Sequence, residues 1–181
     1  MARSVLPRAV VGLGSSLGDR RARLSLAVRM LHARPGLRVI RTSLLYRTPP
    51  WGGVARNWFL NAAVLLESAH PARDLQGLCK LIEARLGRRP GLRWGDRVLD
   101  IDLLCMEGCI AHQPDHKVPH PRIAERPFVV MPLEDVLPGA VNPVTGRTFL
   151  EDHRALGPAA ALPRAVPVGV LWQPPVMKAD S

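Results

Sequence analysis

The stretch Arg93-Trp94-Gly95-Asp96-Arg97-Val98-Leu99-Asp100-Ile101-Asp102 leads from a Trp-Gly turn into a β-prone run. Because successive side chains on a strand point to opposite faces, Asp100 and Asp102 share one face, with their Cα atoms ~6.5 Å apart. Carboxylates at that spacing can hold one or two hard divalent cations, and Arg93 and Arg97 offer forked donors to phosphate oxygens. The combination indicates phosphoryl-transfer chemistry.

Segments with regular hydrophobic spacing precede this strand and are separated by Gly and Pro. Strands are predicted at 9–13, 37–46, 58–67 and 98–105, and helices over 24–31 and 71–86. The order β-α-β-β-α-β predicts an α+β fold with a ferredoxin-like core, in which both helices pack on one face of an antiparallel sheet.

The chain after about Gly108 reads as a C-terminal addition to that core. It holds an apolar run at 128–131, a turn of helix at 133–137 and a short helix over 148–156. We predict a single domain over 9–156, with 1–8 and 157–181 as flexible tails. Alternating apolar residues over 166–172 leave open an additional edge strand.

Composition limits the cellular setting and the partners. The 181 residues carry a net charge of +10, which favours polyanionic ligands, although a bias toward arginine in the coding sequence accounts for most of it. No apolar run reaches the ~18 residues of a membrane span, and no apolar segment follows the N-terminal basic residues. Three cysteines argue against a disulfide framework. These features predict a cytoplasmic protein without a membrane partner.

Two further patterns invite specific interpretations. A zinc site could draw on five residues spaced C-x3-C-x2-H, followed by two more histidines: Cys105, Cys109, His112, His116 and His120. Alternation along the strand instead predicts that Cys105 faces the core, opposite the two aspartates, which favours a buried thiol and loop histidines.

The second pattern is Gly12-x-Gly14-x-x-x-Gly18, which sits between a predicted strand and a helix. Leu17 occupies the third glycine position of the dinucleotide fingerprint, so a tight turn entering a capped helix is favoured. No Walker A sequence is present, which excludes a P-loop enzyme.

Two groups of residues could bind a substrate with a phosphate end and a flat end. Arg88, Arg89, Arg93 and Arg97 precede the aspartates, and a polyphosphate with Mg²⁺ is the natural third partner of such a set. The segment 46–51 and Phe59 supply aromatic rings, while Asn61 can donate and accept hydrogen bonds along the edge of a heterocycle. Ordinary strand packing is the alternative interpretation of this second group.

Taken together, these segments resemble the 6-hydroxymethyl-7,8-dihydropterin pyrophosphokinase family over about residues 10–150. The resemblance rests on the following motifs: Gly-Ser-x-Leu-Gly-Asp at 14–19, Tyr-Arg-Thr-Pro-Pro at 46–50, Leu-Asn-Ala at 60–62, Ile-Glu at 82–83, Gly-Arg at 87–88, Arg-Trp-Gly-x-Arg-x-Leu-Asp-Ile-Asp at 93–102, Val-Pro-His at 118–120 and Arg-x-Phe at 126–128.

The resemblance implies transfer of a diphosphate from ATP to the pterin hydroxymethyl group, with release of AMP. It implies catalytic residues Arg88, Arg97, Asp100 and Asp102, the two aspartates holding two Mg²⁺ ions. It implies ATP-binding residues Glu83, Arg88, Trp94, Arg97, His120 and Arg126, with Trp94 in a mobile loop that closes over the site. It implies pterin-binding residues Thr48, Pro50, Trp51, Phe59, Asn61 and Phe128, with the rings of Phe59 and Phe128 sandwiching the pterin.

The chain departs from the family pattern at four positions. Ser16 stands where Asn is usual, Lys80 where Gln is common, and Phe59 where Tyr is frequent. Pro90 replaces a second loop arginine, which is expected to affect how the closing loop holds phosphate. The stacking role of Phe59 is expected to survive.

Two other functions use parts of the same pattern. A basic ferredoxin-like RNA-binding module would explain the charge, but it lacks aromatic RNA-binding strands, and the paired aspartates would repel phosphate without a metal. A metal-dependent nuclease would use the carboxylates but not the Asn61 pocket. We therefore expect ATP and the pterin as partners, no nucleic acid, and a monomer.

Overall fold

The structure is a computed structural model that describes residues 5–89, 94–157 and 166–174. Its strands are β1 (Arg8–Ser15), β2 (Leu37–Thr42), β3 (Leu44–Thr48), β4 (Phe59–Ser68), β5 (Asp100–Met106), β6 (Ala111–Gln113), β7 (His116–Val118) and β8 (Val166–Val170). Its helices are α1 (Arg20–His32), α2 (Ala72–Arg85), α3 (Pro127–Val136) and α4 (Phe149–Ala155).

The main sheet has the strand order β5-β1-β4-β3-β8, and β2 also pairs with β4. Its paired strands run antiparallel, which confirms the predicted mixed fold with an antiparallel sheet. The ferredoxin-like classification is a finer statement and stays a prediction. β6 and β7 form a separate hairpin.

Both faces of the sheet are covered. On one face, α1 and α2 bury Leu24, Leu31, Leu75 and Ile82 against residues of the sheet, as amphipathic helices do. On the other face, α3 buries Val130, Leu133 and Val136 against a second apolar cluster, together with Phe149 of α4. The N-terminal end of α3 therefore lies over the face that Asp100 and Asp102 share.

Three predicted elements differ from the structure. The strand predicted over 37–46 is two strands, because Ser43 interrupts the pairing and bonds Ala63 through both its backbone N–H and its side-chain oxygen. The apolar run at 128–131 and the turn of helix at 133–137 are one helix that continues through Pro132. Residues 166–170, assigned to a tail, form an edge strand on β3, and Leu171 is buried in the core.

The prediction for Cys105 is wrong. The pairing of β1 with β5 shifts register between Val10 and Val11, which is the signature of a β-bulge. As a result, Leu104 and Cys105 both pack against the cluster under α3, while Leu103 belongs to the opposite face. Cys105 therefore lies on the face of the aspartates.

The glycine motif is divided between two structures. Gly12 and Gly14 lie within β1, which is longer than predicted, and only Gly18 belongs to the turn, with φ +65°. Asp19 caps α1 by accepting a hydrogen bond from the Ala22 N–H, which confirms the predicted capped helix. Within the described ranges, no helix combines the length and apolar character needed to cross a membrane.

Candidate active site

A cavity of about 330 Å³ opens on the sheet face beside the start of α3. Its floor follows the middle of the sheet, where Gly14 of β1 pairs with Asn61 of β4 on one side and with Asp100 of β5 on the other. A Cβ at Gly14 would lie 3.1 Å from Asn61 Oδ1 and 4.0 Å from Asp100 Cβ. The two polar residues therefore flank a bare strip of backbone.

One half of the cavity contains a cluster of carboxylates. Ligand oxygens of Glu83, Asp100 and Asp102 lie within 4.8 Å of one another. Glu83 reaches this place from α2 by passing the free edge of β5, where its Oε1 accepts a hydrogen bond from the Ile101 N–H at 2.5 Å. Its carboxylate thus satisfies an edge backbone group and approaches the aspartates at the same time.

Two arginines neutralise part of this cluster. Arg88 lies 2.5 Å from Asp100 Oδ1 and 2.6 Å from Glu83 Oε2, and Arg97 lies 2.7 Å from Asp100 Oδ2. Burial alone would raise the pKa of Asp100, but the charges of Arg88 and Arg97 hold it below its usual value. For Glu83, burial dominates and raises the pKa.

Lys80, also on α2, supplies a third cation. Its ammonium donates to Glu83 Oε1 at 2.8 Å, to the Ile101 carbonyl at 3.0 Å and to Asp102 Oδ1 at 3.1 Å. Burial would lower its pKa, yet the charge of Asp102 and the bond to Glu83 raise it above the usual value. Lys80 therefore remains charged at neutral pH.

His120 and Arg126 line the cavity from the segment between β7 and α3. Nδ1 of His120 accepts a hydrogen bond from the Arg122 N–H, so the neutral ring carries its proton on Nε2. Burial lowers the pKa of His120 and of Arg126. Among the described residues, the buried Nε of Arg126 has no hydrogen-bond partner, which is unusual for a buried donor.

The other half of the cavity is apolar and aromatic, with one amide. Phe59, Trp51 and Phe128 line it, and the rings of Trp51 and Phe128 meet edge to face at 6.1 Å. Asn61 is buried, and its Nδ2 donates to Thr48 Oγ1 at 2.7 Å. An amide fixed in the same lining as aromatic rings can recognise the polar edge of a flat heterocycle.

Backbone contacts fix the segment that carries Arg97. The N–H of Ser16 donates to the Arg97 carbonyl at 2.9 Å, and the N–H of Arg97 donates to Ser16 Oγ at 2.9 Å. Asp96 accepts hydrogen bonds from the N–H groups of Arg56 and Asn57. Ser16, although it departs from the family pattern, therefore holds the arginine at the mouth of the cavity.

Trp94 covers part of the cavity from the same segment. It has φ +63°, meets the Trp51 ring edge to face at 5.8 Å, and lies under the guanidinium of Arg122 at 5.3 Å from its ring centroid. A Cβ at Gly52 would lie 3.3 Å from the Trp94 ring, so a glycine there permits this close approach. Pro90 and Arg93, singled out from the sequence, lie outside the described residues.

Most of the residues implied by the resemblance meet in this one cavity. The lining includes these twelve of them: Thr48, Trp51, Phe59, Asn61, Arg88, Trp94, Arg97, Asp100, Asp102, His120, Arg126 and Phe128. Among the described lining residues, Pro49 stands where Pro50 was expected, and Glu83 lies beneath the aspartates. The interpretation of Phe59 and Asn61 as ordinary strand packing does not account for their place in the lining.

Sequence reasoning missed Gly14 as a cavity residue and assigned no role to Lys80. Lys80 was noticed only as a departure, and its spacing of three from Glu83 on a helix was the available signal. The residues considered for zinc do not converge: in the described part of the chain, the only group of three or more potential ligands is Glu83, Asp100 and Asp102. His116 instead bonds Gln76 at 2.6 Å.

Comparison with known proteins adds independent evidence. The family model described as 7,8-dihydro-6-hydroxymethylpterin-pyrophosphokinase matches residues 10–138. The 2-amino-4-hydroxy-6-hydroxymethyldihydropteridine pyrophosphokinase of Methylorubrum extorquens is 44% identical over 154 residues, which cover 85% of this chain and 96% of that protein. The protein of the same name from Bacillus subtilis is 38% identical over 128 residues, or 71% of this chain and 77% of its own.

Among solved structures, the Plasmodium falciparum HPPK-DHPS chain is similar, with a TM-score of 0.64. The match covers 83% of this chain and 44% of that one at 14% sequence identity, so it bears on the fold alone.

Proposed function

The chain belongs to the 7,8-dihydro-6-hydroxymethylpterin-pyrophosphokinase family, and on this premise we propose how its cavity residues carry out the reaction. The enzyme transfers a diphosphate from ATP to 6-hydroxymethyl-7,8-dihydropterin, with release of AMP, in folate biosynthesis. One observation carries the assignment of residues: a carboxylate–arginine half and an aromatic–amide half share a single cavity.

In the carboxylate half, Asp100 and Asp102 are proposed to hold two Mg²⁺ ions. Their oxygens are the hard donors that Mg²⁺ prefers, and each has two lone pairs, so an oxygen that accepts from a cationic side chain can still coordinate metal. Mg²⁺ held by these aspartates would neutralise part of the phosphate charge. Arg88, Arg97 and Arg126 would donate to the phosphates.

Glu83 is proposed to act in the carboxylate half of the cavity, where ATP would bind, from its position beneath the aspartates. Both of its oxygens are already occupied by Lys80, Ile101 and Arg88, so it orients Arg88 and β5. His120 would donate from Nε2 to an ATP oxygen, since its Nδ1 already accepts a hydrogen bond.

In the aromatic half, Asn61 is proposed to bind the edge of the pterin, with Thr48 fixing its amide group. Phe59 and Phe128 would contact the two faces of the ring, and backbone groups at Thr48, Pro50 and Trp51 would complete the polar contacts. The pterin hydroxymethyl group would then point toward Asp100, because only the strand β1 lies between Asn61 and Asp100.

The reaction needs mainly positioning and charge stabilisation, because the transferred phosphoryl group passes through a loose transition state. The backbone of Arg97 is held by the N–H and the Oγ of Ser16, and its guanidinium is held by Asp100, so the guanidinium would meet the phosphate at little entropic cost. Trp94 would help to exclude water that could otherwise hydrolyse ATP.

We also propose a cytoplasmic monomer. The three cysteines are free, as is usual in a reducing compartment, and residues of one copy line the cavity. Light scattering after size-exclusion chromatography measures the oligomeric state, and a dimer would contradict this part of the proposal.

A coupled assay for AMP tests the assignment of residues. Purified protein with Mg-ATP and the pterin is expected to release AMP, with little AMP from ATP alone. Asn61→Ala should raise the KM for pterin about tenfold or more, because a hydrogen-bonded recognition contact is lost, and leave the KM for ATP near wild type. An equal rise in both KM values would contradict the division of the cavity into two halves.

A further inference from the structure

Lys80 lies in the carboxylate cluster, where its ammonium is paired with Glu83 and Asp102, two of the carboxylates that could bind a cation. The cluster contains three carboxylates, Glu83, Asp100 and Asp102, and three cations, Lys80, Arg88 and Arg97. In the described part of the chain, Lys80 is the only residue that forms an ion pair with Asp102. The two arginines are engaged with Asp100 and Glu83.

The ammonium of Lys80 is fully coordinated in this arrangement. An ammonium has three donors, and its three acceptors are Glu83 Oε1, the Ile101 carbonyl and Asp102 Oδ1, at 2.8 to 3.1 Å. The Ile101 carbonyl belongs to the rigid edge strand, and Glu83 is fixed by the Ile101 N–H. The ammonium of Lys80 is thus held against Asp102 Oδ1, one of the oxygens that could bind a cation.

We propose that Lys80 is a positioning residue that holds Asp102 while the cavity lacks nucleotide and competes with the divalent cation for this carboxylate. The inference rests on the proposed metal-binding role of Asp102. An Mg²⁺ ion on a carboxylate oxygen sits ~2.1 Å from it, so an ion on Asp102 Oδ1 and the ammonium nitrogen would be roughly 5 Å apart or closer. Both bear positive charge and both use the same oxygen.

ATP shifts the competition between Lys80 and the divalent ion for Asp102 toward the ion. Without nucleotide, Lys80 lowers the affinity of Asp102 for a divalent ion. The triphosphate of ATP adds negative charge beside the cluster, which gives the ammonium an alternative partner and favours an ion that arrives with the nucleotide. Metal entry is thereby coupled to ATP, and Asp102 stays oriented in the meantime.

Binding of Mn²⁺ to the nucleotide-free protein tests this, measured by the electron paramagnetic resonance signal of unbound Mn²⁺ at fixed ionic strength. Lys80→Gln keeps a polar side chain and removes the charge, and is expected to bind Mn²⁺ about five- to tenfold more tightly. This factor follows from the screened repulsion of a unit and a double charge ~5 Å apart at water-like dielectric, because Lys80 is half-exposed.

Three variants make the result specific. Lys80→Arg retains the charge and should bind Mn²⁺ much as wild type does. Lys117→Gln removes the same charge from an exposed position on β7 and should leave the affinity unchanged. Lys80→Met repeats the charge removal should Lys80→Gln fail to give a cooperative thermal transition.

Asp102→Asn separates this inference from the metal site on which it rests. Weak Mn²⁺ binding by Asp102→Asn, together with unchanged or weaker binding by Lys80→Gln, would overturn the competition and leave the metal site intact. Wild-type binding by Asp102→Asn would overturn both. A gain by Lys117→Gln equal to that of Lys80→Gln would also overturn it, since net charge would then be the cause.

Discussion

Gly14→Ala would place a methyl group in the floor of the cavity, next to Asn61. The added Cβ would lie 3.1 Å from Asn61 Oδ1, a contact so tight that the amide must give way by a few tenths of an ångström. Asn61 is buried and fixed to Thr48 at 2.7 Å, so a shift spoils the geometry of its bonds. A buried polar group that loses its partner costs ~1–3 kcal/mol, so we expect pterin affinity to fall about tenfold or more.

Isothermal titration of the pterin in the presence of a non-hydrolysable ATP analogue measures this change. The affinity for the analogue should stay near wild type, because Asp100 Cβ is 4.0 Å from the new methyl group. Gly12→Ala is the matched control: its Cβ would meet the methyl groups of Leu104 at 3.3 Å and has no contact with Asn61 among its nearest atoms. Unchanged pterin affinity in Gly14→Ala, or an equal loss in Gly12→Ala, would refute the reasoning.

Three further outcomes are expected. Asp102→Ala should lower kcat at least ~100-fold in the AMP assay, because metal charge is worth several kcal/mol in the transition state; a loss under about tenfold would contradict its role. Burial lowers the pKa of His120 in the folded protein below 6.5, so the unfolded chain binds the proton more tightly and the free energy of unfolding falls as the pH drops below 6.5. His120→Gln should therefore show a smaller decrease in Tm between about pH 7.5 and 5 than the wild type. An identical decrease in the two proteins would contradict this effect of His120. Leu171→Ala should lower the free energy of unfolding, measured in urea, by ~2–5 kcal/mol, because Leu171 is buried. Val168→Ala, at a half-exposed position, should lower it by about 0.5 kcal/mol. Similar small values for both would show that residues 166–171 contribute little to stability.

Local geometry explains what the sequence could predict. The shared face of Asp100 and Asp102 follows from the two-residue period of a strand, which needs no knowledge of partners. The helix-forming periodicity around Leu24 and Leu75 likewise identified α1 and α2, whose buried faces meet the sheet as expected. Residue types with specific chemistry then allowed a family resemblance to bring distant segments together.

What depended on neighbouring strands could not be predicted. The side on which Cys105 lies is set by a register shift opposite Val10 and Val11, and nothing in the residues around Cys105 encodes it. The break at Ser43 has no glycine or proline to mark it. The segments 128–131 and 133–137, predicted as separate, are one helix because α3 continues through Pro132.

The role of Lys80 also depends on how the strands and helices are arranged around it. Its partners exist because β5 is an edge strand whose Ile101 carbonyl points outward to α2. Sequence alone predicted the helix, but not that β5 is an edge strand or that α2 lies beside that edge.

The row Asp100–Gly14–Asn61 has a consequence for which substrates can react. Neighbouring strands lie ~4.8 Å apart, so the backbones that carry the two polar residues are roughly 9.6 Å apart across β1. Backbone hydrogen bonds in the middle of the sheet fix this interval, and side-chain replacements around the rim leave it unchanged. A pterin analogue whose hydroxyalkyl arm is one carbon longer should therefore bind but overshoot the phosphate, and act as an inhibitor.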